Sequence, residues 1–430
     1  MRGKRRMSPG LWIILGFLLT ILLGTGLLLL PISIRDGVHL PFVDALFTST
    51  SAVCVTGLLV VDTADTFTIF GRTVVALLIQ IGGLGVSSIG AGAILLMRRR
   101  IGLHERQLIQ TGLNLDTPRG AVRLVRAVLL MTLAAQGIGL LLSYPVFARD
   151  HAPLPALGIA AFHSIAAFNN AGFDILGGMQ NLIGYQDSIL LNLTTAGLIL
   201  WGGIGFLVVI DVAQKRRFRR LTLHSKVVLT TTAALLVIGT LLLRLTEDIG
   251  WLGAFFTGVS ARTAGFSTYS LGEFSSAGLF IVILLMFIGA SPGSTGGGVK
   301  TTTFFAAMLA TYAMAANKHP SAFKRRLPRE TLYKAFVIIT LSVGVCALVL
   351  LGLCLLEPQW NVEHLLFEAV SAFATVGLST GITPELGIGA KLLLTLTMYI
   401  GRLGPLTVAS LLTFRELPAL HYSEESIPIG

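Results

Sequence analysis

Eight runs of apolar residues, at 11–30, 73–97, 127–147, 189–210, 227–243, 280–290, 335–356 and 392–413, leave this chain few ways to fold in water. A helix that crosses a bilayer needs roughly 20 apolar residues, and most of the runs come near that length. Charged residues make up 12% of the chain and hydrophobic ones 53%, against about 25% charged in a soluble domain. An all-α polytopic membrane protein is the expectation, with the run at 280–290 short and interrupted. The first run follows Arg2, Lys4, Arg5 and Arg6, as a signal peptide would. It is nevertheless of span length and leads into Pro31-Ile32-Ser33-Ile34-Arg35 rather than a small-residue cleavage site, so it is read as a retained helix.

The formal net charge is +11, yet its placement argues against nucleic acid. Basic clusters at 2–6, 98–100, 215–220 and 324–329 fall in alternate loops, while the other loops hold little beyond Arg35, Arg149 and Arg244. That asymmetry is the positive-inside pattern. It predicts a multi-pass protein of the inner (plasma) membrane with both termini in the cytoplasm. Cys54, Cys346 and Cys354 sit in apolar stretches without paired spacing, and the histidines lack the spacing of a metal-binding helix. His163 and His364 stand alone, without the partnered nucleophile and base or the metal set an intramembrane enzyme needs, so neither an enzyme nor a bound cofactor is expected.

Between the runs, four shorter stretches align on a glycine. They read Ser51-Ala52-Val53-Cys54-Val55-Thr56-Gly57-Leu58, Ala166-Ala167-Phe168-Asn169-Asn170-Ala171-Gly172-Phe173, Val259-Ser260-Ala261-Arg262-Thr263-Ala264-Gly265-Phe266 and Ser371-Ala372-Phe373-Ala374-Thr375-Val376-Gly377-Leu378. A phenylalanine stands ten positions before each glycine (Phe47, Phe162, Phe255 and Phe367). A second landmark follows 25, 30, 24 and 24 residues after the four glycines: Ile81-Gly82-Gly83-Leu84-Gly85, Trp201-Gly202-Gly203-Ile204-Gly205, Ile288-Gly289 and Ile400-Gly401-Arg402-Leu403-Gly404. Four matches in register indicate quadruplication. The predicted repeats are 1–100, 101–223, 224–327 and 328–430, each a span, a short re-entrant segment and a second span.

Non-helical backbone at membrane depth must be buried in protein or line water, because lipid satisfies no N–H or C=O group. The stretches at 47–53, 162–168, 255–261 and 367–373 suit short half-helices, and each glycine lets the chain turn back in a positive-φ conformation. Four such loops around a single central pore would present a ring of carbonyl oxygens able to replace a cation's hydration shell. Gly82, Gly85, Gly202 and Gly205 are read instead as close-packing residues between helices.

These residues, Asn169-Asn170-Ala171-Gly172-Phe173 in particular, resemble the Trk/Ktr/HKT superfamily of potassium transporters along nearly the whole chain. With eight spans the sequence looks most like the KtrB-type membrane subunits of bacterial Ktr systems. The resemblance implies a potassium filter at Val55, Thr56 and Gly57; Asn170, Ala171 and Gly172; Thr263, Ala264 and Gly265; and Thr375, Val376 and Gly377. Within the superfamily, glycine in all four loops goes with potassium permeation, and serine in the first goes with sodium preference. The resemblance also implies a gating loop through Ser291, Gly293, Ser294, Thr295, Gly296, Gly297, Gly298 and Lys300, and a basic gating residue at Arg402. It further implies a homodimer and a cytosolic nucleotide-binding regulatory ring. Sequence physics supports the gating segment independently: Pro292 and the glycines cannot continue a helix, and a charge at Arg402 inside an apolar run should face protein or water.

Three further readings remain open. A secondary transporter of another fold would also break its spans, though such folds usually repeat twice. A sodium-permeable member of the same superfamily would carry the same loops. Asp62, Asp65, Asp174, Glu273 and Glu385 lie beyond the glycines, where they either steer cations or sit in solvated loops.

Overall fold

The computed structural model describes residues 9–85, 121–404 and 407. The basic residues at 2–6, 98–100, 106 and 119, and the ends of the runs at 73–97 and 392–413, lie outside the described residues. Helices dominate, in the order α1 (Pro9–Leu28), α2 (Phe42–Cys54), α3 (Ile69–Leu84), α4 (Ala121–Phe147), α5 (Pro153–Asn169), α6 (Ile189–Ile204), α7 (Phe206–Lys215), α8 (Leu223–Thr246), α9 (Trp251–Ser260), α10 (Ser276–Phe287), α11 (Thr301–Ala315), α12 (Arg329–Leu356), α13 (Val362–Ala374) and α14 (Ile388–Leu403). A small hairpin pairs Ser321–Ala322 with Arg325–Arg326.

The chain runs four times through a long helix, a short helix and a second helix. Among the described residues α1, α4, α8 and α12 are long and apolar enough to cross a membrane, and each opens one of these units. They expose leucine, isoleucine and valine on their outer faces, as Leu19, Leu23, Leu141, Leu245 and Leu355 show. In lipid such exposure costs nothing, because acyl chains are as apolar as the side chains. The short helices are the inverse. In α2 every residue from Phe47 to Cys54 is buried, including Thr48, Ser49, Thr50 and Ser51. Their hydroxyls are satisfied locally or by a neighbour: Thr48 and Thr50 donate to carbonyls one turn back, and Ser49 donates to Ile21 O of α1 at 2.8 Å.

The units pack head to tail. The last helix of each unit lies against the short helix of the next: α3 on α5, α6 on α9, α10 on α13, and α14 back on α2. An ion pair of 2.9 Å between Lys391 of α14 and Asp44 of α2 closes the circuit, with both side chains largely buried. Within the third and fourth units a glutamate ends the long helix and anchors the start of the second one. Glu247 accepts from the Ser275 N–H and hydroxyl, and Glu357 accepts from the Gly387 N–H at 2.6 Å.

Of the apolar runs described in full, two do not continue as single spans. The run at 189–210 breaks at Gly205, where α6 and α7 meet at 97°. Gly205 has a φ of 99°, and the following Phe206 N–H leaves the helix to donate to Gly293 O at 2.9 Å. In the third unit α10 stops at Phe287 and hands over to an irregular loop that turns back on itself. The second landmark also divides into two roles. A Cβ on Gly82, Gly202 or Gly401 would overlap the carbonyl oxygen of Val53, Phe168 or Phe373 at the end of a short helix, so these are the close-packing glycines. Gly85, Gly205 and Gly404 have φ of 82°, 99° and 87° and end their helices; Gly205 is a close-packing glycine as well, since a Cβ there would overlap Pro292 O.

Candidate functional site

Three of the short helices are capped by a residue in the left-handed region, Val55 (φ 57°), Asn170 (φ 60°) and Thr375 (φ 50°), and in the third unit Thr263 (φ 73°) takes that conformation three residues after the helix ends at Ser260. Three of the four are β-branched, for which a positive φ is a true outlier, costing of order 1–3 kcal/mol each. Two positions later φ is positive again, at Gly57 (95°), Gly172 (67°), Gly265 (76°) and Gly377 (92°), whereas Thr56, Ala171, Ala264 and Val376 between them are not in that region. Alternating the sign of φ lets successive carbonyls face one side, where an extended strand would alternate them. The same strained geometry four times over is a shaped feature rather than a turn of convenience.

The four glycines meet one another. A Cβ on Gly57 would overlap Ala171 O, one on Gly172 would reach Ala264 O, one on Gly265 would overlap Val376 O, and one on Gly377 would overlap Thr56 O. Each glycine therefore lies against a carbonyl of the next loop, in the order one, two, three, four and back to one. All twelve residues named from the sequence for these loops come together here, and the residue after each glycine (Leu58, Phe173, Phe266 and Leu378) is buried behind it.

Serine hydroxyls brace three of the loops. Ser51 accepts from Gly57 N–H at 3.0 Å and donates to Leu58 O at 2.8 Å. Ser371 does the same for Gly377 and Leu378, at 3.1 and 2.6 Å. Ser260 donates to Phe266 O. In the second loop the place of this serine is taken by Ala166, and Asn181 donates to Gly172 O instead, at 3.0 Å.

The third loop corrects the alignment in one detail. Its Ala264 N–H bonds to Ser260 O, four residues back, whereas Thr56, Ala171 and Val376 each reach five residues back. The tighter loop shifts the helix register by one. Phe256, not Phe255, is the buried counterpart of Phe47, Phe162 and Phe367, while Phe255 is partly exposed.

The glycine-rich loop between α10 and α11 sits directly against these four. Thr295 donates its hydroxyl toward Asn170 Oδ1 (3.2 Å) and Phe168 O (3.4 Å), and its N–H to Gly202 O (3.2 Å). A Cβ on Gly296 would overlap the Thr263 hydroxyl, and one on Gly297 the Thr375 hydroxyl. Ser291 pairs with the Thr301 hydroxyl at 2.9 Å, and Ser294 donates to Ser291 O at 2.6 Å. Gly293 and Gly298 take φ of 68° and 69°. The Lys300 ammonium donates to Gly296 O at 2.7 Å and Gly297 O at 3.4 Å, so it serves this loop's own carbonyls.

Arg402 reaches the same loop from α14. Its guanidinium donates to Thr295 O and to Gly82 O and Gly83 O at the end of α3. One side chain thus ties together the fourth unit, the first unit and the glycine-rich loop. Its fork of donors suits this, since several carbonyls can be served at fixed angles.

On the opposite side of the four glycines, Asp62 caps a short turn by accepting from the Ala64 and Asp65 N–H groups. Its other oxygen accepts from Met179 N–H at 2.7 Å, and Asp65 accepts from Gly178 N–H at 3.1 Å. Asp174 accepts from Leu176 N–H at 3.0 Å. These carboxylates therefore pin backbone beyond the four glycines, and Asp62 and Asp65 join the first unit to the second. The sequence held no signal for Glu368, a fully buried carboxylate of α13, because it falls inside an otherwise ordinary short helix.

Comparisons with known proteins bear on this arrangement. The TrkH family, described as cation transport protein, matches residues 12–249 and 221–424. The chain is 37% identical over 446 residues to Ktr system potassium uptake protein B of Vibrio alginolyticus, covering 100% of this chain and 97% of that protein. It is 36% identical to its namesake in Bacillus subtilis, covering 99% and 97%. It is also 36% identical to potassium/sodium uptake protein NtpJ of Enterococcus hirae, covering 100% and 99%. The crystal structure of the potassium transporter TrkH from Vibrio parahaemolyticus superposes with a TM-score of 0.75 at 19% identity, covering 96% of this chain and 87% of the other, and so shares the fold.

Proposed function

Because the chain belongs to the TrkH family of cation transport proteins, we propose that it takes up potassium through one pore on the axis where its four loops meet. It is a multi-pass membrane protein of a transporter family and not an enzyme. The carrying observation is the cyclic contact of Gly57, Gly172, Gly265 and Gly377, each lying against a carbonyl of the next loop. Strained loops that present oxygens around a common axis can replace the hydration shell of a monovalent cation. The filter is assigned to Val55, Thr56 and Gly57 with their counterparts through Thr375, Val376 and Gly377, and potassium is its substrate.

The loop from Ser291 to Lys300 is the gate. It lies against Asn170, Thr263 and Thr375, at the ends of three short helices, and Arg402 latches it. A conducting state would require this loop to withdraw, which the hydrogen bonds of Thr295 and Arg402 oppose. The helix–loop–helix units are four repeats of one pore element. Cytoplasmic termini, a homodimer and a cytosolic nucleotide-binding ring complete the proposal; they rest on the placement of basic residues and on likeness to Ktr proteins. Sodium permeation is the second reading, favoured by the name of the Enterococcus relative.

Uptake measured in a strain without its own potassium systems, and then in proteoliposomes with potassium or sodium as the only cation, tests both readings. Potassium flux well above sodium flux is expected. Equal rates for the two ions would favour the sodium-permeable reading, and no cation flux from folded protein would overturn the pore.

A further inference from the structure

Glu368 is buried completely, one residue after Phe367 and behind the fourth loop. One carboxylate oxygen accepts from the Ser379 hydroxyl at 2.6 Å and the Thr380 N–H at 3.2 Å; the other accepts from the Thr383 hydroxyl at 2.8 Å. All of these partners are neutral, and all belong to the segment that follows Gly377 and Leu378. Ser379 in turn accepts from Gly381 N–H at 2.9 Å, and Thr380 O lies where Gly272 of the third unit leaves room for it by lacking a Cβ. The carboxylate therefore holds the outer end of the fourth loop from inside the protein and seats it against the neighbouring unit.

The corresponding positions in the other units do something else. Thr48 bonds within its own helix, to Asp44 O, and His163 bonds to the Thr195 hydroxyl of α6 at 2.8 Å. The third unit, after its one-residue shift, has Thr257. Outer braces elsewhere come from Asn181, Asp62 and Asp65, which join different units. Burying a carboxylate without a cation costs several kcal/mol unless its oxygens are well bonded, and ionisable groups at membrane depth mark functional sites by default. Three hydrogen bonds directed to one loop account for its place in the fold.

We propose that Glu368 is a positioning residue for ion selectivity, a brace that sets the spacing of the Thr375, Val376 and Gly377 carbonyls by fixing Ser379, Thr380 and Thr383 behind them. This rests on the filter reading above. Its mechanism is geometric: with the brace gone, the outer end of the fourth loop relaxes, and a looser ring accommodates the smaller, more strongly hydrated sodium ion with less penalty.

The test is the potassium-to-sodium permeability ratio of purified protein in proteoliposomes, a ratio that does not depend on how many molecules fold. E368A is expected to lower it about tenfold, the change produced by roughly 1.4 kcal/mol. E368Q, whose amide oxygen can keep Ser379 and Thr380 while its amine donates to Thr383, should restore most of the ratio. T383V removes one partner with little change of shape and should give an intermediate loss, which keeps the test open if E368A does not fold. A selective wild type with an unchanged ratio in E368A or T383V overturns the brace. So does E368Q falling as far as E368A, since charge rather than geometry would then be what matters. A wild type with no selective flux overturns the filter itself.

Discussion

At the residue scale, most of the chemistry lies in backbone groups, and the side chains set their geometry. Val55, Thr263 and Thr375 adopt a left-handed conformation that their branched Cβ atoms resist, and the neighbouring glycines have no room for a Cβ at all. Gly57→Ser must displace Ala171 O of the next loop. It is expected to lower the potassium-to-sodium flux ratio about tenfold or more, given strain of about 1–3 kcal/mol at such positions. An unchanged ratio in the purified variant would count against the filter assignment. Arg402 is a fixed cation inside an apolar run, and in the fold its guanidinium serves three carbonyls, two of them on α3 and one on the glycine-rich loop. Arg402→Ala should release Thr295 and raise flux severalfold per folded protein without altering selectivity, and Arg402→Lys should not restore the latch, because an ammonium lacks the planar fork. Normal flux with a lowered unfolding temperature would make Arg402 a structural residue only.

At the scale of elements, the loop between α10 and α11 is unlike its counterparts. In the other three units the described second helix runs to the landmark glycine and ends just beyond it, whereas α10 stops at Phe287 and the chain continues as an irregular, turn-containing loop against the four-glycine site. Its glycines serve close packing, since Gly296 and Gly297 allow the backbone to touch the Thr263 and Thr375 hydroxyls, which any side chain would prevent. Removing residues 294–298 takes away Thr295 and both glycines while leaving α10 and α11 intact. Flux through the shortened protein should rise, once thermal unfolding shows that it folds. Normal or reduced flux in a folded deletion would remove the gate from this loop. The bend at Gly205 is tied to the same loop, since Phe206 N–H donates to Gly293 O.

At the scale of the whole molecule, closure depends on contacts between the ends of the chain. The fourth unit must dock on the first, and the Lys391–Asp44 pair, with side-chain exposures of 12% and 14%, sits at that seam. Lys391→Met leaves the Asp44 carboxylate largely buried without its cation, which should cost about 2 kcal/mol. The measurement is unfolding of the purified protein in detergent by heat or denaturant. A loss of stability shared equally by Asp44→Asn and by the double variant would identify a coupled pair, whereas additive losses would show two independent residues.

How much of this is legible in the sequence follows from the range of the forces involved. Apolar run length and the demand of glycine for positive φ are local properties, so the membrane class, the short helices and the four loop glycines could be named from the chain alone, while the residues beside those glycines came with the family resemblance. The charge asymmetry between loops is likewise written in order along it. The cyclic sequence of loop contacts, the one-residue tightening at Ser260, the break at Gly205, the carbonyls around Arg402 and the brace at Glu368 were not visible. Each joins groups whose neighbours are chosen by packing, often across a hundred residues or more. Glu368 shows the limit most clearly: its own helix looks ordinary, and only the fold brings Ser379, Thr380 and Thr383 back onto its carboxylate. Which groups can turn, strain or bond is decided residue by residue, but which ones meet is decided only when the four units close on each other.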